Sequence, residues 1–92
     1  MTRPRLPRRI AFRHRDLFYK PQGVPLSRLK IVSLSYEEAE ALRLKDVEAL
    51  SQLDCAKMMK ISQSTFQRIL SGARQKVSWA IIKGWAIRLS KN

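Results

Sequence analysis

The sequence predicts a mainly α fold: a three-helix helix-turn-helix domain with short β-strands supplied by its N- and C-terminal segments. Three observations lead there. Ser35, Ser51 and Ser62 each stand just before a stretch with helical apolar spacing, where a hydroxyl can cap free backbone amides. The last two of these stretches are separated only by a few residues around Lys60, as two helices joined by a tight turn require. Apolar and polar residues alternate near both chain ends, which is the period of a strand.

Ninety-two residues are enough for one core, since single domains use roughly 50–200. A composition 45% hydrophobic and 28% charged is that of a globular rather than a disordered chain. Residues 1–9, rich in Arg and Pro, cannot fill a core and read as a basic arm; residues 10–92 read as a single domain. Ile10, Phe12 and His14 alternate with Ala11 and Arg13, giving a short strand. Leu17, Phe18 and Tyr19 form a second apolar patch, closed by the turn formers Pro21, Gly23 and Pro25. Residues 26–35 are ambiguous, one reading being a short helical turn followed by an extended Lys30-Ile31-Val32-Ser33-Leu34.

From Ser35 the signals sharpen. Ser35 with Glu38 three residues on is a capping box, and Glu37, Glu38 and Glu40 suit the positive end of a helix dipole. Tyr36, Ala39 and Leu42 then mark a helix running to about Val47. Ser51 with Asp54 is a weaker pair, opening a short helix that ends near Met59. Ser62 opens the third helix, where Phe66, Ile69, Leu70, Ala73, Val77, Ala80 and Ile81 fit some five turns. Gly84 ends it as a left-handed residue. Trp85, Ile87 and Leu89 then alternate as a terminal strand able to pair with the N-terminal one.

The charge points to a partner. Nineteen Lys and Arg oppose seven Asp and Glu, a net +12. Residues 1–20 carry +6, residues 36–50 carry −3, and residues 51–92 carry +7. Two basic segments flank an acidic helix, a directional field that suits a polyanion; a generally basic soluble protein is the plainer alternative. No apolar run approaches the roughly 18–20 residues of a membrane span, and no apolar stretch follows the N-terminal charges as in a secretory signal. One cysteine, Cys55, excludes an internal disulfide and agrees with a reducing compartment. The sequence therefore predicts a cytoplasmic protein with no membrane partner.

The helix-turn-helix occupies about residues 50–77. Ala56 supplies the small residue needed where two helices approach, and Ile61 the apolar residue after the turn. Phe66, Ile69 and Leu70 bury one face of the second helix. Many such turns hold glycine where Lys60 stands, because that residue takes positive φ. A left-handed lysine costs roughly 1 kcal/mol, so strain or another turn geometry is expected.

Opposite the apolar set lie Ser64, Gln67, Arg68, Ser71 and Gln75. The first turns of the second helix enter the major groove in this motif, making Gln63, Ser64, Gln67 and Arg68 the candidates for reading bases. Arg matches the two acceptors of guanine, Gln the donor and acceptor of adenine, and Ser either. An ordinary solvated face more often carries Glu–Lys pairs, whereas no acid lies between Ser62 and Ser71. Lys57, Lys60, Ser62, Thr65, Arg74 and Lys76 are the candidates for phosphate contacts, which fix register without reading sequence. Arg3, Arg5, Arg8 and Arg9 are of the kind that reach a minor groove; a solubilising tail is the alternative.

Four blocks carry a family resemblance: Arg8-Arg9-Ile10, Phe18-Tyr19-Lys20-Pro21-Gln22-Gly23-Val24-Pro25, Glu40-Ala41-Leu42-Arg43-Leu44 and Ser62-Gln63-Ser64-Thr65-Phe66-Gln67-Arg68-Ile69-Leu70. Over nearly its whole length the chain resembles the uncharacterised prokaryotic family called domain of unknown function 134. The resemblance implies a helix-turn-helix similar to the fourth region of bacterial sigma factors, with duplex DNA contacts at Gln63, Ser64, Gln67 and Arg68. The chain departs from the family at Lys60, where glycine is common. It also lacks the N-terminal cysteines and the further domain, related to iron-molybdenum cofactor handling, of some relatives. No metal or cofactor is therefore carried over.

An enzyme has little to stand on. His14 and Cys55 are the only residues of their kinds, so no histidine–cysteine metal set exists. His14 reads as a surface strand residue, Cys55 as a small buried one, and Glu37, Glu38 and Glu40 as capping groups. Scattered glycines make no phosphate-cradling loop.

The function expected is a DNA-binding transcriptional regulator, with no catalysis and no cofactor. Its partners would be double-stranded DNA, with a homodimer and the transcription machinery as further candidates. Two alternatives belong to other classes: a non-sequence-specific nucleic-acid binder, architectural or RNA-associated, and a sigma-like protein-interaction module. The last would expose an apolar patch including Tyr19, Trp79 or Trp85.

Overall fold

A computed structural model describes residues 17–90; the arm and the strand expected around Ile10 and His14 lie outside them. β1 (Leu17–Tyr19) leads through a turn at Gly23, φ 82°, and a 3-10 turn at Leu26–Arg28 into β2 (Ile31–Ser35). The ambiguous stretch is thus a helical turn followed by a strand. α1 (Tyr36–Leu42), α2 (Gln52–Met59) and α3 (Gln63–Lys83) follow, and β3 (Ala86–Ser90) closes the domain.

β3 is the central strand, in the order β1-β3-β2. It runs antiparallel to β1, with Leu17 opposite Leu89 and Tyr19 opposite Ile87, and parallel to β2, with Leu34 opposite Leu89. The C-terminal strand thus pairs with an N-terminal segment, the Leu17–Tyr19 patch, while the partner expected around Ile10 and His14 lies outside the described residues. The parallel partner was not expected.

The capping box closes as its sequence dictates. Glu38 N donates to Ser35 Oγ at 3.1 Å, and Ser35 N donates to Glu38 Oε1 at 3.0 Å. The helix then widens into a π-helical turn at Arg43–Val47, where Glu48 N donates to Arg43 O at 2.9 Å. Leu50 N reaches Leu44 O at 3.1 Å, and Ala49 takes φ 60° to allow it. The wider turn keeps Leu44 in the core at 1% exposure. Below it, Arg43 forks onto the buried Glu40 carboxylate with contacts of 3.0 and 2.8 Å. That bond holds the Arg43 guanidinium above its ordinary pKa.

Two apolar clusters fix the helices. Ala41, Leu44, Cys55, Ala56, Phe66 and Leu70 join α1, its π-helical extension, α2 and α3. Leu34, Tyr36, Ala39, Ala73 and Leu89 join α1 and α3 to the sheet. Each Leu or Phe so buried contributes about 1.5–3 kcal/mol, and together they hold α3 by one face along most of its length. Gly84 ends α3 at φ 72°, and Trp85 N donates to Ala80 O at 3.0 Å. Among the described residues no helix is long and apolar enough to cross a membrane.

Candidate nucleic-acid interface

The turn between α2 and α3 is built from Lys60, Ile61 and Ser62. Lys60 is left-handed, φ 61° and ψ 45°, so of the two outcomes anticipated the strained one holds. Two backbone bonds impose it. Lys60 N donates to Lys57 O at 3.1 Å, and Ile61 N donates to Ala56 O at 3.0 Å, the paired bonds of a Schellman ending. Ile61 packs against the cluster holding Cys55 and Ala56, which supplies the apolar contact that accompanies this motif.

Ser51 caps α2, its Oγ accepting from Asp54 N at 3.1 Å. Ser62 caps α3, its Oγ accepting from Thr65 N at 3.1 Å and donating to Thr65 Oγ1 at 2.8 Å. Phe66 and Leu70 are fully buried beneath the first turns of α3. With that face anchored, Gln63, Ser64, Gln67 and Arg68 are all exposed on the other. Lys57, Lys60 and Ser62 are exposed beside them, and Thr65 is half-buried. The side chains of Lys57, Lys60 and Arg68 make no hydrogen bond or ion pair with another described residue.

Arg74 and Lys76, also expected to meet phosphate, are engaged inside the domain. Arg74 Nε and Nη2 grip Asp46 at 3.1 and 2.5 Å. The pairing lowers the Asp46 carboxyl pKa and raises that of the guanidinium. Lys76 Nζ donates to Ser33 O at 3.0 Å and to Glu38 Oε1 at 2.9 Å. Of the six residues assigned to the phosphates, the structure gathers Lys57, Lys60, Ser62 and Thr65 at the start of α3 and ties the other two elsewhere. Arg3, Arg5, Arg8 and Arg9 lie outside the described residues.

One residue at this surface escaped the sequence reading. Gln52, the first residue of α2, donates from Nε2 to Gln67 Oε1, and Gln67 Nε2 in turn donates to Ser71 Oγ at 3.2 Å. The Gln52–Gln67 bond spans 15 positions, and no local periodicity announces such a pair. The charge of the surface was legible: from Cys55 onward the chain contains no Asp or Glu.

Cys55 is fully buried, and desolvation pushes its thiol pKa up, the reverse of a reactive thiol. Among the described residues no three His, Cys, Asp or Glu side chains are grouped to hold a metal ion. At the far end of α3, Tyr19, Lys20, Pro21, Ala80, Ile81, Trp85 and Ile87 line an open, mainly apolar groove of about 200 Å³.

Fold and surface define a small helix-turn-helix domain whose second helix is fixed by one face and bare on the other. The chain matches over residues 1–91 the family described as protein of unknown function DUF134, and it belongs to that family. It is 54% identical over 89 residues to a UPF0251 protein of Desulforudis audaxviator (strain MP104C), covering 97% of this chain and 58% of that one. A UPF0251 protein of Halothermothrix orenii is 48% identical over 88 residues, 96% of this chain and 65% of its own. The UPF0251 protein DET0218 of Dehalococcoides mccartyi is 52% identical over 89 residues, 97% and 76% respectively. The chain thus spans 58–65% of the length of the first two relatives. No solved structure matches it.

Proposed function

We propose that this domain binds duplex DNA and reads the major groove through the first turns of α3, as a cytoplasmic transcriptional regulator without catalytic activity. The observation that carries the reading is the exposed set Gln63, Ser64, Gln67 and Arg68 flanked by the unpaired Lys57 and Lys60. Hydrogen-bonding groups that match base edges stand at the centre, and cations suited to phosphate stand at the rim. Acids, which a phosphate-lined groove would repel, are absent from that stretch of chain.

The test is selection of bound duplexes from a random library at about 0.15 M salt. A defined motif is expected. Arg68→Ala should then cost about 1–3 kcal/mol and relax preference at one base pair, while Lys57→Ala should weaken binding to all sequences alike. Equal losses from both on every sequence would remove the base-reading assignment and favour a non-specific nucleic-acid binder. An inverted repeat in the motif would add a homodimer.

A second reading has its own observation. Tyr19 and Trp79 are 58% and 43% exposed, and Ile81 and Ile82 are 70% and 81% exposed, an apolar surface of the kind that docks another protein. Ile81→Asp would leave DNA binding intact and abolish docking to a component of the transcription machinery if that surface is used.

A further inference from the structure

We propose that Gln67 specifies adenine, and that Gln52 is the positioning residue that makes it do so. The inference rests on the duplex-DNA reading above. It follows from counting what the Gln67 amide has left to offer. A primary amide carries two N–H donors and two acceptor lone pairs. Gln67 spends one N–H on Ser71 Oγ and one lone pair on Gln52 Nε2. One N–H and one lone pair remain on an exposed residue in the second turn of α3.

That pair is complementary to one base edge. Adenine presents an acceptor at N7 and a donor at N6 in the major groove. Guanine presents two acceptors, so the free lone pair of Gln67 would face O6 or N7 without a proton between them. Thymine offers one acceptor and a methyl group, and cytosine one donor, so each leaves half of the amide unpaired.

Gln52 couples the order of donor and acceptor in Gln67 to its own amide. Turning the Gln67 amide alone would set its NH2 against the Gln52 NH2, donor against donor, so the two amides turn only together. With Gln52 in place, the rotamer freedom that Gln67 loses on binding is smaller. Ser51 caps the first turn of α2, where Gln52 stands. Gln52 acts on base choice through Gln67 rather than by touching a base.

The experiment is library selection on the full chain and its variants, followed by Kd measurements on duplexes substituted at single positions. The native chain should favour adenine at one position per site by about 5- to 150-fold over the other bases, the range of one good bidentate contact. Gln67→Ala should lose preference at that position alone. Gln67→Glu should move it to cytosine, whose N4 amino group a carboxylate accepts. Gln52→Ala should bring the preference down toward the Gln67→Ala level, with melting temperature and affinity for a random duplex unchanged, which a general loss of structure would not allow. A motif with no position sensitive to Gln67, or one indifferent to Gln52→Ala, overturns the proposal while leaving DNA reading intact. DNA retained by the native chain with no enriched sequence overturns both.

Discussion

Replacing Lys60 by glycine should make the domain more stable and a weaker DNA binder at the same time. The residue sits at φ 61° between α2 and α3, a conformation that costs an L-residue about 1–2 kcal/mol. Glycine adopts it freely but gives up about 0.5–1 kcal/mol more backbone entropy on folding. The difference leaves a gain of about 0.5–1 kcal/mol, or roughly 2–8 °C in melting temperature for a domain this size. The bonds that close the turn, Lys60 N to Lys57 O and Ile61 N to Ala56 O, are backbone bonds, so the substitution leaves them in place. The exposed ammonium is lost. If it neutralises one phosphate, the slope of log K against log salt should fall by about 0.9. Two controls separate the effects. Lys60→Ala keeps the strain and loses the charge, so only the salt slope should change. Ala49→Gly relieves the other left-handed residue, φ 60°, and should raise the melting temperature with no effect on DNA. Thermal melts by circular dichroism and DNA titrations at several salt concentrations read both quantities. A lower melting temperature for Lys60→Gly would refute the strain argument, and an unchanged salt slope would refute the phosphate contact.

Two further perturbations test what holds the interface in place. Arg43→Leu should leave the Glu40 carboxylate, 3% exposed, without its fork. Urea denaturation should then show a loss of about 3 kcal/mol, as for breaking a buried ion pair. Asp46 is held below its ordinary pKa by Arg74, so the pair's stabilisation is present above the usual carboxylate range and is lost as pH falls through the lowered value. Melting temperature followed from about pH 6 to pH 2 should therefore fall less steeply in Asp46→Asn. The effect should be modest because both side chains are partly solvated.

What the sequence discloses and what it conceals divide by distance along the chain. The caps at Ser35, Ser51 and Ser62 and the glycine ending at Gly84 depend on residues within four positions, and all four stand where local chemistry puts them. The buried residues of α3, Phe66, Leu70, Ala73 and Ala80, follow from the helical period in the same way, although Ile81 of the same periodic set is 70% exposed. The bonds of Arg74 and Lys76, to partners 28 and 38–43 residues away, leave no trace in local spacing. The same holds for the Gln52–Gln67 bond and for the parallel pairing of β2 with β3. The π-helical turn escaped for another reason. It preserves the burial of Leu44 that an ordinary helix is also expected to give, so the apolar pattern does not tell the two apart.

The place of β3 imposes an order of assembly. Of the three described strands, the last in the chain is the one in the middle, and without it β1 and β2 would stand about 9–10 Å apart, two interstrand spacings and too far to pair. A chain emerging from the ribosome can gather Ala41, Leu44, Cys55, Ala56, Phe66 and Leu70 as soon as α3 is out. Leu34, Tyr36, Ala39 and Ala73 must wait for Leu89. Sheet formation is thereby delayed until the segment after α3 has been synthesised. A nascent chain arrested near Gly84 would hold its recognition helix against a half-built core, with two unpaired strands open to other chains.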